Sequence, residues 1–160
     1  SAGSIDITTD SLRVDGKTVF TQDGIDPQMS RIAVVSEREA TGNAGVITIN
    51  APRITLFNEG QITAESRNRT GNAGTIDITA NALFLSDGGL INARTISGED
   101  GAIGLEISDR LILNNSEISA LSTDGTGGNI GLEIGNRLIL NDSEISSSST
   151  NGTGDLKSVV

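Results

Sequence analysis

A short glycine-led segment of alternating aliphatic residues recurs four times along the chain. It reads Gly-Val-Ile-Thr-Ile at 45–49 and Gly-Thr-Ile-Asp-Ile at 74–78, and it shortens to Gly-Leu-Glu-Ile at 104–107 and 131–134. The last isoleucines of the four segments are Ile49, Ile78, Ile107 and Ile134, so their spacing is nearly constant. A regular period of this length is typical of a solenoid, in which each repeat is one coil stacked on the next.

Each repeat contains three runs in which apolar and polar residues alternate, which is the period of a β-strand. In the second copy these runs are 76–78, 83–85 and 91–93, with turn residues between them. No window has the apolar spacing of a helix, and a β-sandwich would not explain the regular period. We therefore predict an all-β chain that forms a right-handed parallel β-helix (solenoid) with three short strands per rung. The predicted rung length is about 27 to 29 residues.

One rung cannot bury its aliphatic side chains alone, so the rungs must stack about 4.8 Å apart and share continuous inward columns. The prediction covers residues 1–160 as a single β-helix segment. Neither end has an obvious cap, although solenoids normally protect their terminal rungs. We therefore expect a segment excised from a longer repeat array.

The first copy is longer than the others. Its first two strands match residues 5–14, but the counterpart of Val14 is Leu56, which lies farther along the chain than one regular period. The extra residues lie at about 21–31 and predict a loop that projects from a corner, where insertions in solenoids often carry function. The candidate contact residues of this loop are Asp23, Asp26 and Met29.

Composition excludes several function classes. The chain has 21 Asp and Glu residues against 11 Lys and Arg, and its formal charge of −10 repels phosphate backbones and anionic lipids. No run approaches the roughly 18 apolar residues that span a bilayer. The absence of cysteine excludes a disulfide scaffold and a cysteine zinc site. We expect no nucleic-acid partner and no membrane insertion.

Some β-helix proteins cleave polysaccharides, and this chain has the carboxylates which that chemistry requires. It has no His, Cys or Tyr, however, and its three Phe are its only aromatic residues. No local irregularity brings two or three acids together with a basic residue. We expect no catalysis, no cofactor and no metal site, and we keep a polysaccharide-binding or polysaccharide-cleaving protein as the alternative.

Three outward columns are candidate surfaces. Phe84, Ile112 and Ile139 lie between the inward leucines of strand two and predict an apolar stripe. The stripe is either an interaction surface or is covered by a corner loop that folds over it. Asp77, Glu106 and Glu133 are predicted to stack as an acidic column, which either binds a divalent cation or is a solvated face. A polar face on strand three is formed by Thr63, Asn92, Ser119 and Ser146.

The pattern Gly-Asn-Ala-Gly-x-Ile-x-Ile, followed by an apolar-x-Leu pair and an Ile-x-Ala pair, occurs at 42–64 and 71–93. It resembles the repeats of filamentous-haemagglutinin-like bacterial exoproteins, and the resemblance covers nearly the whole chain. The last two repeats are one residue shorter at the first corner, and the family's N-terminal secretion domain is not evident.

The resemblance implies export by two-partner secretion through an outer-membrane transporter, a secreted or cell-surface location, and often adhesion. We expect a rigid structural or adhesive stalk. Its partners would be a glycan or protein receptor, or neighbouring segments of the same exoprotein.

Overall fold

The computed structural model describes residues 3–16, 30–40, 42–68, 70–96 and 101–151. The loop predicted at 21–31 lies outside these residues except for its last two positions. Of those two, Arg31 is the first residue of a β-strand, so the third strand of the first rung begins at the end of the predicted insertion.

The described residues form thirteen β-strands and no helix, and they include no helix that is long and apolar enough to cross a membrane. The strands are β1 (Ile5–Thr8), β2 (Ser11–Asp15), β3 (Arg31–Ser36), β4 (Val46–Asn50), β5 (Arg53–Phe57), β6 (Gln61–Ser66), β7 (Thr75–Ser86), β8 (Leu90–Thr95), β9 (Ala102–Asn114), β10 (Glu117–Ser122), β11 (Asn129–Ile134), β12 (Arg137–Asn141) and β13 (Glu144–Ser149).

All the strand pairs are parallel, and each strand pairs with its counterparts in the neighbouring rungs. The strand-one side consists of β1, β4, the start of β7, the start of β9, and β11. The strand-two side consists of β2, β5, the ends of β7 and β9, and β12. The strand-three side consists of β3, β6, β8, β10 and β13. The chain is thus a β-solenoid of about four turns with about 28 residues per rung, which confirms the predicted fold.

The core lies along the axis as columns of aliphatic side chains, one residue from each rung. In the middle rungs these side chains are 0–1% exposed, and full burial of each contributes about 1.5–3 kcal/mol. The columns on the strand-two side end in Leu138 and Leu140, which are 36% and 41% exposed because no described strand covers β12. The two inward columns of strand two are Leu12, Ile54, Leu83, Leu111, Leu138 and Val14, Leu56, Leu85, Leu113, Leu140.

The predicted register of the strand-one side is wrong between the third and fourth rungs. Ile78 pairs with Leu105 and not with Ile107. The glycine that opens the fourth rung is therefore Gly101, not Gly104. A bulge near Ala80 restores the alignment, because β9 has one residue more than β7 before the strand-two side begins.

Two corners show why their sequences are rich in turn residues. Between strands two and three, left-handed backbone conformations with φ of 47–51° are adopted by Asn58, Asp87, Asn115 and Asp142. Asn and Asp tolerate this conformation better than other non-glycine residues. Between strands three and one, the Gly-Asn-Ala-Gly segments form the corner, and their alanines Ala44 and Ala73 are buried.

The last residues of four strand-three segments form a buried column of hydroxyls, which was not predicted from the sequence. Ser36 Oγ donates to the Gly42 carbonyl at 2.6 Å, and Thr95 Oγ1 donates to the Gly71 carbonyl at 3.1 Å. Ser36 thus satisfies a carbonyl of the corner that follows its own strand, and Thr95 satisfies one of the equivalent corner in the preceding rung, where buried backbone acceptors need partners. The members of the column, 1–4% exposed, are Ser36, Ser66, Thr95 and Ser122.

Gly128 lies in the corner between β10 and β11, and substituting it shows how closely this corner packs against the preceding rung. A Cβ atom at Gly128 would overlap the Gly101 carbonyl and would lie 2.7 Å from the Cβ of Ala120, whereas a Cβ at Gly131 meets nothing within 4 Å. We expect Gly128→Ala to lower the free energy of unfolding by about 1–3 kcal/mol through overpacking. Gly131→Ala should leave it unchanged or raise it by up to about 1 kcal/mol. Urea denaturation measures both, and equal effects would contradict this packing.

The hydroxyl column gives a second test, because one member lacks a partner. Thr95→Val removes the donor to the buried Gly71 carbonyl and should destabilise the chain by about 1–3 kcal/mol. Ser66 Oγ is buried with no hydrogen-bond partner among the described residues, so Ser66→Ala should cause no loss of stability. Thermal or urea unfolding compares the two variants. If Ser66→Ala lowered the free energy of unfolding as much as Thr95→Val, the predicted difference between the two hydroxyls would be wrong.

Candidate interaction surface

The predicted apolar stripe lies in register on the strand-two side. Phe84 pairs with Thr55 in the rung before and with Ile112 in the rung after, and Ile112 pairs with Ile139. All four side chains are half-buried, because they point outward but lie between neighbours in the same column. The stripe therefore exists as predicted, and Thr55 ends its apolar part.

Arginine side chains cover part of the strand-two side. This feature was not predicted from the sequence. The guanidinium carbon of Arg53 lies 4.6 Å from the centre of the Phe84 ring, and that of Arg13 lies 4.3 Å from the centre of the Phe57 ring. Both distances are within the range of cation–π attraction. Each arginine thus lays its planar group over an aromatic ring and keeps its charge at the surface.

More arginines share this side. The first residues of the strand-two segments form one column, in which Arg53 pairs with Ala82, Ala82 with Arg110, and Arg110 with Arg137. The signal was present in the sequence, since an arginine begins the second strand of three repeats. The exposed arginines of the strand-two side are Arg13, Arg53, Arg110 and Arg137.

The structure holds two of these arginines in ion pairs. Arg110 Nε donates to Asp109 Oδ2 at 2.7 Å, and Asn136 Nδ2 donates to Asp109 Oδ1 at 3.1 Å. Arg13 lies 3.7 Å from Asp15. Within the described ranges, Arg53 and Arg137 form no salt bridge. Their charges are therefore the ones most open to an outside anion.

The residues predicted on the inserted loop, Asp23, Asp26 and Met29, lie outside the described residues. Their proposed contact role stays a prediction.

The predicted acidic column is only half correct. Glu106 pairs with Glu133 as expected, but Asp77 pairs with Gly104, and Thr79 takes the place beside Glu106. The register shift of the strand-one side causes the difference. The described residues contain no group of three or more acidic side chains with the geometry of a metal site.

The strand-three polar face is in register but is not a flat exposed array. Asn92 pairs with Thr63 before it and with Ser119 after it, and Asn92 Nδ2 donates to Ser119 Oγ at 2.7 Å. Thr63 is 8% exposed and Ser119 is fully buried. The predicted outward face is therefore only partly open to a ligand.

Carboxylate pairs one rung apart occur twice, as Glu106 beside Glu133 and Glu117 beside Glu144. All four side chains are exposed, and the two members of each pair occupy equivalent positions in successive rungs. Hydrolysis by two carboxylates requires one to act as an acid and the other as a base or nucleophile, and these roles come from different surroundings. Both members of each pair are exposed, so neither pair combines a buried carboxyl group with an exposed one.

No family model matches the sequence, no curated protein is significantly similar to it, and no solved structure matches its fold significantly. The resemblance to filamentous-haemagglutinin-like exoproteins therefore stays a prediction from the repeat pattern.

Asp109 gives a direct test of the surface geometry. The hydrogen bond from Arg110, followed by that from Asn136, lowers the pKa of Asp109, and the charge of Arg137 contributes least. A lowered pKa means that these contacts favour folding above the ordinary Asp pKa, and that this contribution is lost as the pH falls through the folded value. We expect Arg110→Gln to raise the pKa of Asp109 clearly and Arg137→Gln to raise it less. Carboxyl NMR titration measures both, and the reverse order would contradict the geometry.

Proposed function

We propose that this chain is a rigid structural or adhesive repeat region of a secreted or cell-surface bacterial exoprotein. In this role it holds other parts of the protein at a fixed distance and offers its outer sides for contact. The observation that carries the proposal is the parallel pairing of all three sides in every described rung, which continues past the register shift near Ala80.

Pairing of strands between successive rungs supports a role as a spacer, because the length of the coil then does not depend on flexible joints. Each rung adds about 4.8 Å along the axis, and its side chains pack only against the rungs before and after it. Leu83, for example, lies between Ile54 and Leu111 and is fully buried by them and their neighbours. Bending the axis would open these columns on one side, so packing resists it.

The proposed location and partners come from the sequence resemblance. An exoprotein of this type would pass through an outer-membrane transporter and then meet a glycan or protein receptor, or neighbouring segments of its own chain. Nearest-neighbour packing suits such export, because each rung can fold on the one already formed.

Our proposal includes no catalysis. The alternative of a polysaccharide-cleaving protein is less well supported, since both members of the Glu106–Glu133 and Glu117–Glu144 pairs are exposed on outer sides of the coil. Polysaccharide binding without cleavage is compatible with a surface stalk.

Spin-label distances test the rigid spacer. The chain has no cysteine, so introduced cysteines would be its only labelling sites. Asp6 and Gly131 belong to one outward column four rungs apart, and so do Ser11 and Arg137. We expect the Asp6→Cys/Gly131→Cys and Ser11→Cys/Arg137→Cys pairs to give similar, narrow distributions near about 19 Å plus the label arms, four spacings of about 4.8 Å.

The second label pair is the control, because it measures another side of the same coil. Broad distributions in both pairs would contradict a rigid spacer. A narrow distribution in one pair and a broad one in the other would show a rod that is held on one side only, which also contradicts the proposal.

A further inference from the structure

Charges are sorted by side on this solenoid. Every charged residue in register on the strand-one side is acidic, whereas four of the five in register on the strand-two side are arginines. Asp109 of β9 lies between the two sides, at the register shift. Although the chain has a net charge of −10, its strand-two side therefore forms a locally basic strip. The acidic residues of the strand-one side are Asp6, Asp77, Glu106 and Glu133, and the charged residues of the strand-two side are Arg13, Asp15, Arg53, Arg110 and Arg137.

The basic strip also has an apolar part. The column of first residues that contains Arg53, Arg110 and Arg137 runs directly beside the stripe of Phe84, Ile112 and Ile139. Because Arg53 lies over the Phe84 ring, the charged and apolar parts meet at one place. A ligand along this strip would meet guanidinium groups on one edge and hydrocarbon in the middle.

Amide and hydroxyl groups form the other edge of the strip. Ser86 pairs with Asn114 and Asn114 with Asn141, and Asn141 Nδ2 donates to Asn114 Oδ1 at 2.7 Å. Side-chain amides both donate and accept hydrogen bonds, so this column suits a partner that carries hydroxyl groups.

We propose that the strand-two side binds a linear polysaccharide that carries carboxylates, lying along the solenoid axis. Guanidinium groups of Arg53 and Arg137 pair with the carboxylates, since the planar fork of arginine matches a carboxylate in two hydrogen bonds. Ile112 and Ile139 contact the C–H faces of the sugar rings, and the Phe84 ring holds the Arg53 guanidinium in place. This inference rests on the proposed extracellular role and names the ligand class for it.

The chemistry favours an acidic glycan over a nucleic acid. A nucleic-acid duplex presents one charge per roughly 1.7 Å, which four arginines cannot neutralise and which the neighbouring acidic side would repel. A polysaccharide has a sparser charge and hydroxyl groups between its carboxylates. Its extended form also matches a strip whose columns advance by one position per rung.

The test uses the full chain and calorimetric titration with polygalacturonate oligomers at low salt. The comparison ligand is the same oligomer with its carboxyl groups methyl-esterified, which keeps the sugar and removes the charge. We expect binding to the acid form only, weakening as salt is added. Arg53→Gln/Arg137→Gln should reduce the affinity about tenfold or more, which is about 1.4 kcal/mol. Phe84→Ser should reduce it as well.

Arg94→Gln is the matched control, because Arg94 is an exposed arginine on the strand-three side. It removes one charge without touching the strip and should leave the affinity unchanged. Circular dichroism of each variant, together with the label distances above, shows whether the coil is intact.

Each contrary result overturns the inference. Equal binding of the ester would remove the role of the carboxylates, and an equal loss in Arg94→Gln would show non-specific attraction. Equal or tighter binding of single-stranded DNA would show a general polyanion surface. Absence of binding by a chain that keeps its narrow label distances would reject the glycan site and leave the rigid spacer standing.

Discussion

The whole structure depends on aliphatic side chains that become buried only when one rung lies on another. Ile76 is fully buried because Ile47 and Ile103 lie directly before and after it in the same column. Such a column exists only while the rungs keep one spacing on all three sides. The corners must therefore keep the spacing between rungs constant, and their residues allow the backbones of successive rungs to approach closely. Gly101 lies so near the Cβ atoms of Ala73 and Ala93 that a side chain there would overlap them.

The corners also have to satisfy the backbone groups that leave the parallel ladders. The hydroxyls of Ser36 and Thr95 bond the carbonyls of the corner after strand three, so polar atoms lie at the end of an apolar core. Buried polar groups are tolerated when they are hydrogen-bonded, and these are. The packing of the core and the hydrogen bonding of the corners thus depend on each other. The aliphatic columns supply the free energy, the glycines allow the chain to turn, and the hydroxyls of Ser36 and Thr95 satisfy carbonyl groups at the corners.

Much of this could be predicted from the sequence, because alternation fixes which residues face inward. The columns of strand two and the Phe84 stripe were found correctly for that reason. The register of strand one was not, since a slip of two residues returns every side chain to the same face. Ile103, Leu105 and Ile107 alternate in one run, so the pattern alone fits either alignment. Only the bulge near Ala80, a three-dimensional feature, decides between them. Burial of Ser119 on an outward face likewise depends on neighbours that alternation does not specify.

Because the inward residues are committed to packing, selection for contact can act only on the outward ones, and repetition turns each outward residue into a column. An arginine that begins the second strand of one repeat becomes part of a line of arginines, as Arg110 and Arg137 show. A line of evenly spaced groups is matched best by another repeating polymer and poorly by a small ligand, which needs groups that converge. The same geometry that supports the proposed spacer role thus favours extended partners lying along its sides.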